Sequence, residues 1–178
     1  MKATELPHGI KPLWGRLCFS IQTMSKAYTI LIQKEKEGAA VKDTVRDWNI
    51  ACTDIPFLPE NEAKELPSRD WPDEDGEDTY HPETIKMKAY DLDISLCYKG
   101  DLGSAYTQIE EFMAYLTGRD GGGTFFKIYS PHTLIGRGGC YMKQFAPDDF
   151  WKGNGEDVLE FKITVRVTEP CGNIILSA

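Results

Sequence analysis

The stretch from Leu159 to Val167 constrains the fold more than any other part of the chain. Leu159, Phe161, Ile163, Val165 and Val167 alternate strictly with Glu160, Lys162, Thr164 and Arg166. Successive side chains of a β-strand point to opposite faces, so this period of two places the whole apolar set on one side. The other side carries charges of both signs and must meet solvent or a neighbour, the habit of antiparallel sheets. Pro170 ends the strand, because it offers no backbone donor to a ladder. Any architecture for this chain has to supply that strand with partners and its apolar face with a cover.

Candidate partners are spread along the sequence. Ile85, Met87 and Ala89 share one parity, and Leu92, Ile94, Leu96 and Tyr98 share the other. A slip of one in a period-two pattern predicts a β-bulge or bend near Tyr90 within a strand over 85–98. Trp48, Ile50 and Cys52 also alternate and predict a strand over 44–57 that breaks at Pro56. Shorter β-prone runs lie at 17–21, 124–129 and 140–145. Residues 23–36 fit either a short helix or a strand, closed by Gly38.

One helix is predicted over 104–117. Ala105, Ile109, Phe112, Met113 and Leu116 fall at the spacing of a single buried stripe. Ser104 is placed to cap its start and Gly118 to follow its end. Many strands with one helix imply an α+β fold, mainly an antiparallel β-sandwich with one principal α-helix packed on a sheet. The 178 residues suit one domain. The expected divisions are an N-terminal arm at 1–16, rich in Pro and Gly, a single β-sandwich domain at 17–170, and a C-terminal tail at 171–178.

The acidity of the chain is concentrated in one segment. Between residues 60 and 78, Glu60, Glu62, Glu65, Asp70, Asp73, Glu74, Asp75, Glu77 and Asp78 face only Lys64 and Arg69, a net of -7 against -8 for the whole chain. The same segment holds Leu66, Pro67, Trp71 and Pro72. It therefore reads as a shaped surface loop, with its prolines forbidding continuous regular structure. The acidic balance disfavours nucleic-acid binding by charge neutralisation, which needs clustered Lys and Arg.

Motifs for chemistry are missing. Cys18, Cys52, Cys97, Cys140 and Cys171 show no zinc-knuckle spacing and read as reduced, mostly buried thiols. His8, His81 and His132 sit in turn-like contexts and none pairs at helical spacing. The Gly121–Gly123 triplet follows a helix and lacks the Lys-Ser or Lys-Thr of a phosphate loop, so it reads as a connection. Asp73, Asp75 and Gly76 fail the register of a calcium loop, whose first and twelfth positions would be Trp71 and Pro82. No catalytic residue, metal ligand or cofactor is expected. No secretory leader and no apolar run near the ~20 residues of a membrane helix is visible, so the expectation is a soluble chain made in the cytoplasm.

The order of parts resembles a known family. An alternating strand up to Leu58 leads into Glu65-Leu66-Pro67-Ser68-Arg69-Asp70 and an acidic turn containing Gly76. A strand then ends in Tyr98-Lys99-Gly100, a helix runs from Ala105 to Leu116, and after Gly118 comes a strand pair. The closing strand runs into Glu169-Pro170. Over roughly residues 17–170 this pattern is similar to the ring-forming domain of the distal tail proteins of long-tailed bacteriophages. The resemblance implies a non-catalytic structural protein of a phage or prophage tail, a distal ring or tube-adaptor subunit. It implies a cyclic homo-oligomer, a hexamer, in contact with other tail proteins, with DNA passing through unbound and no membrane contact. Its place would be the host cytoplasm during assembly and then the virion tail.

Two departures stand out. Many such proteins continue into a second, often carbohydrate-binding, domain, which this chain is expected to lack. The acidic segment is also longer than the family's turn. On this reading Arg69, Asp70, Trp71, Asp73, Glu74, Asp75, Glu77 and Asp78 form a loop facing the ring's lumen or a subunit contact, with Arg69 pairing a neighbouring carboxylate. The plainer alternative is a solvated outer loop. The competing function is a free-standing β-sandwich binding module for a carbohydrate or protein ligand, using Trp71, Trp151 and Tyr141.

Overall fold

The computed structural model describes residues 27–56 and 62–177. The expected arm at 1–16, the run at 17–21, Phe57, Leu58 and Glu60 lie outside the described residues. In chain order the elements are β1 (Leu31–Lys34), β2 (Val41–Asp43), α1 (Thr44–Trp48), β3 (Ile50–Asp54), β4 (Ser68–Asp70) and β5 (Glu77–Thr79). They continue with β6 (Tyr90–Asp101), α2 (Ala105–Thr117), β7 (Phe126–Ser130), β8 (Ile135–Gly153) and β9 (Glu156–Val167). All strand pairs are antiparallel. The fold is α+β with a sheet-rich core, as the alternation predicts.

Seven strands form one sheet in the order β2-β1-β7-β8-β9-β6-β3. The last strand returns to the first: Tyr28, just before β1, exchanges backbone hydrogen bonds of 3.0 and 2.8 Å with Cys52 of β3. The two layers of the expected sandwich are thus one sheet that closes on itself, which leaves few open edges. Its inner face carries the apolar set of β9 together with Ile32, Ile50, Leu96, Tyr98 and Phe126 in a single core. α2 lies over this core: Phe112 is fully buried and meets Trp48 and Phe161 edge-on, at centroid distances of 5.3 and 6.3 Å.

The outer face of β9 behaves as its charges foretell. The Asp91 carboxylate accepts from Lys143 Nζ at 2.6 Å and Arg166 Nη1 at 3.0 Å, and Asp93 accepts from Thr164 Oγ1 at 2.7 Å. Residues 173–176 pack back onto the sheet. Ile174 and Leu176 cover Leu31 and Tyr129 on the outer surface of β1 and β7. Ile174 N donates to Gly136 O, and Gly136 N to Asn173 Oδ1 at 2.8 Å.

Several local expectations need correction. Residues 31–34 settle as strand β1, and Gly38 turns the chain with φ 73. The strand expected over 44–57 is a one-turn helix followed by β3. Asp43 caps that helix by accepting from Val45 N and Arg46 N, and Asn49 leaves it in the left-handed conformation. Trp48 and Ile50 are both buried, so their alternation was real while the backbone between them was not extended. The slip near Tyr90 is no bulge: β6 begins there, and Ile85 is exposed.

Candidate functional site: an acidic hairpin arm

Between β3 and β6 the chain leaves the closed sheet and comes back. Its base is a single antiparallel bridge of Ala63 with Met87, with Lys64 N donating to Lys86 O and Lys88 N to Glu62 O, both at 2.7 Å. Lys88 Nζ ties the two legs further by reaching Glu62 at 2.9 Å and Glu65 at 3.5 Å. These charge-assisted contacts raise the Lys88 pKa, the hydrogen bond to Glu62 first among them.

Beyond the base, β4 and β5 form a separate two-stranded sheet with Ser68 opposite Thr79, Arg69 opposite Asp78, and Asp70 opposite Glu77. What reads in sequence as a loop is therefore a β-hairpin. Pro67 and Pro72 bracket the three-residue strand β4 instead of preventing it, because neither needs to donate within the ladder. The tip runs from Trp71 to Gly76, and Gly76 adopts φ 90, a conformation that glycine takes without strain.

The expected loop residues do share this one feature. Asp70 and Arg69 stand on β4, Glu77 and Asp78 on β5, and Trp71, Asp73, Glu74 and Asp75 at the tip. No residue from Glu62 to Tyr80 is buried. Arg69 departs from expectation. Its guanidinium lies 3.5 Å from the centre of the Trp71 ring, and no carboxylate pairs with it among the described residues. An exposed ion pair with Asp78 gains little in water, whereas stacking on an indole also covers apolar surface.

Asp73, Glu74 and Asp75 at the tip are all exposed, so the arm is a negative projection. Among the described residues, no group of three or more His, Cys, Asp or Glu side chains is placed to hold a metal ion.

The chain matches no family model and no curated protein.

The residues of the alternative binding module do not converge. Tyr141 and Trp151 lie ten positions apart on β8, about 30 Å along a strand. Tyr141 packs edge-on to Phe125, and one face of Trp71 is taken by Arg69. Phe150 and Trp151 are 49% and 41% exposed. Of the thiols, Cys52, Cys97 and Cys140 are buried and Cys171 is exposed. Burial pushes Cys52 and Cys97 up to about 11 and Cys140 up to about 12, so these sulfurs are protonated and inert at neutral pH.

Sequence reasoning missed Asp157. It is almost wholly buried, and its Oδ2 accepts from Gly103 N at 2.7 Å and Ala105 N at 3.4 Å. It thereby caps α2 from the neighbouring strand β9. Ser104 occupies the cap position but turns its hydroxyl to Asp101 O and Tyr98. An acid at the start of the cleanest strand carried no signal of this role.

Proposed function

We propose that this chain is a non-catalytic structural subunit of a phage or prophage tail, a distal tail or tube-adaptor protein that closes into a ring. One observation carries the reading: an acidic two-stranded hairpin stands off a closed antiparallel sheet with both faces exposed. A lone two-stranded hairpin is marginal in water. Contact with a neighbouring subunit would give such a hairpin the support it lacks alone. The order of elements, with one helix over an antiparallel sheet, supports the same reading.

In the proposed ring, a cyclic homo-oligomer and by resemblance a hexamer, the arm reaches a neighbouring subunit or the lumen. A lumen lined by carboxylates repels phosphate and lets DNA pass without holding it. Other tail proteins would stack above and below. Electron microscopy of the assembled particle tests the proposal. Several copies arranged in a ring are expected, and a single copy per particle sinks it. For the arm, Asp73, Glu74, Asp75, Glu77 and Asp78 are replaced together by their amides. Loss of assembly assigns a subunit contact, retarded DNA ejection assigns the lumen, and normal behaviour in both removes the arm's role.

A further inference from the structure

One end of the closed sheet holds a small cavity, where β3 and β7 finish and β6 and β8 begin. Its walls include Tyr90 and Leu92 of β6, Ile128 and Ser130 of β7, Thr133 of the following turn and Arg137 of β8. Its volume is about 20 Å³. That admits one particle of about the size of a water molecule and excludes a sugar, a nucleotide or an oxyanion with four oxygens.

A fixed positive charge stands in this wall. Arg137 is only 9% exposed. Its Nε donates to the Tyr90 hydroxyl at 3.1 Å, and its Nη1 donates to the Gly136 and Gly172 carbonyls at 2.8 and 3.2 Å. All three acceptors are neutral. Among the described residues, Nη2 has no partner and no carboxylate forms an ion pair with Arg137. Glu35 and Glu169, which share the surroundings of Cys140 with it, are exposed and do not reach it. A buried lysine can shed its proton, whereas a guanidinium cannot, so a buried Arg calls for a counter-charge. The other polar side chains of the cavity are hydroxyls. Burial raises the pKa of Tyr90 against the opposing effect of Arg137, so the phenol keeps its proton and has it to donate. Ser130 Oγ accepts from Thr133 N at 3.4 Å, which leaves its own proton free. The lining thus offers positive charge and hydrogen-bond donors, and it contains no acid.

We propose that this cavity is a binding site for one small monovalent anion, chloride by its size, held by Arg137 Nη2 with the hydroxyls of Tyr90, Ser130 and Thr133. A water molecule there would satisfy donors but leave the guanidinium charge uncompensated. An anion does both, and hydrogen bonds to a charged acceptor are roughly twice as strong as neutral ones. The low dielectric of a buried site strengthens them further. Because Arg137 also holds Gly172, an anion on its far side would fix the ends of β6, β7 and β8 and the start of the C-terminal segment together. This inference does not depend on the tail reading, because the cavity lies within a single chain.

The test follows thermal unfolding of the full chain in sodium chloride, with ionic strength held constant by sodium gluconate, whose anion is too large for the cavity. An anion that binds only the folded state raises Tm with its concentration, and the rise yields its Kd. Chloride is expected to raise Tm in the unsubstituted chain. Arg137→Met should abolish the rise. Thr133→Val, which removes one hydroxyl at a partly exposed turn and keeps the volume, should weaken binding about tenfold, or about 1.4 kcal/mol. It carries the test alone if Arg137→Met does not fold. Crystals soaked in sodium bromide supply the position, and an anomalous peak within hydrogen-bond distance of Arg137 Nη2 is expected. A Tm indifferent to chloride, a rise undiminished in the variants, or a cavity without that peak would overturn the proposal.

Discussion

Replacing Phe112 by alanine probes the joint between helix and sheet. The ring is fully buried and sits between Trp48 and Phe161, both in edge-on contact. Truncation of a buried Phe costs about 3–5 kcal/mol, made up of lost transfer energy and the cavity left behind. The aromatic contacts add about 0.5–1.5 kcal/mol each beyond area, but part of that is already counted in measured truncations. We therefore expect about 4 kcal/mol, a large share of the ~5–15 kcal/mol that holds a typical domain. Urea unfolding followed by tryptophan fluorescence measures it directly. The midpoint should fall sharply while the slope against denaturant holds. Tyr106→Ala on the same helix, at a side chain that is 78% exposed, is the control and should cost less than about 0.5 kcal/mol. A Phe112→Ala cost below about 1.5 kcal/mol, or equal costs for the two variants, would refute the packing of α2 described above.

Asp157→Ala should destabilise by about 1–2 kcal/mol, since it orphans two amides at the start of α2, and thermal unfolding should show it. Gly136→Ala should loosen the C-terminal segment, because a Cβ there would lie 1.9 Å from the Ile174 carbonyl oxygen; faster hydrogen exchange of the Ile174 amide is the readout. Hydrogen bonding to Lys143, followed by that to Arg166, lowers the pKa of Asp91 in the folded state. A depressed carboxylate stabilises the fold above its unfolded pKa of about 3.9 and loses that contribution as pH falls through the lower folded value. Asp91→Asn should therefore cost about 0.5–1 kcal/mol at neutral pH, as exposed pairs do. The gap to the unsubstituted chain should narrow as pH falls below the unfolded carboxylate value and close once the folded carboxyl is protonated.

Periodicity carried the long elements. Leu159–Val167 and the stripe from Ala105 to Leu116 each bury an entire face, and a full face leaves an unambiguous pattern in sequence. Short elements were less legible. Thr44–Trp48 is a single turn of helix, too brief to show a period of 3.6, and its capping by Asp43 is a local signal that the alternation of Trp48, Ile50 and Cys52 overrode. The hairpin of β4 and β5 has no apolar face at all, so no burial pattern could mark its strands. The arm's residues were legible as a group through their charge, whereas the placement of Arg69 on Trp71 was a contact that composition does not encode.

The sequence by itself determined the antiparallel, sheet-rich character of the chain, the position and buried face of its main helix, and the concentration of charge in one segment. Each is local: side-chain direction follows from backbone period, and charge follows from composition. The tertiary structure alone decided that the sheet closes through Tyr28 and Cys52, that Asp157 caps a helix more than fifty positions earlier, and that β8 outruns β7. It also decided the fate of Lys34, which is almost wholly buried and donates to the Gly123 carbonyl over the ring of Tyr115, with its pKa lowered by that burial. Such pairings join residues far apart in the chain, and their energies depend on which surfaces exclude water together. No local pattern records that, because it exists only once the sheet has closed.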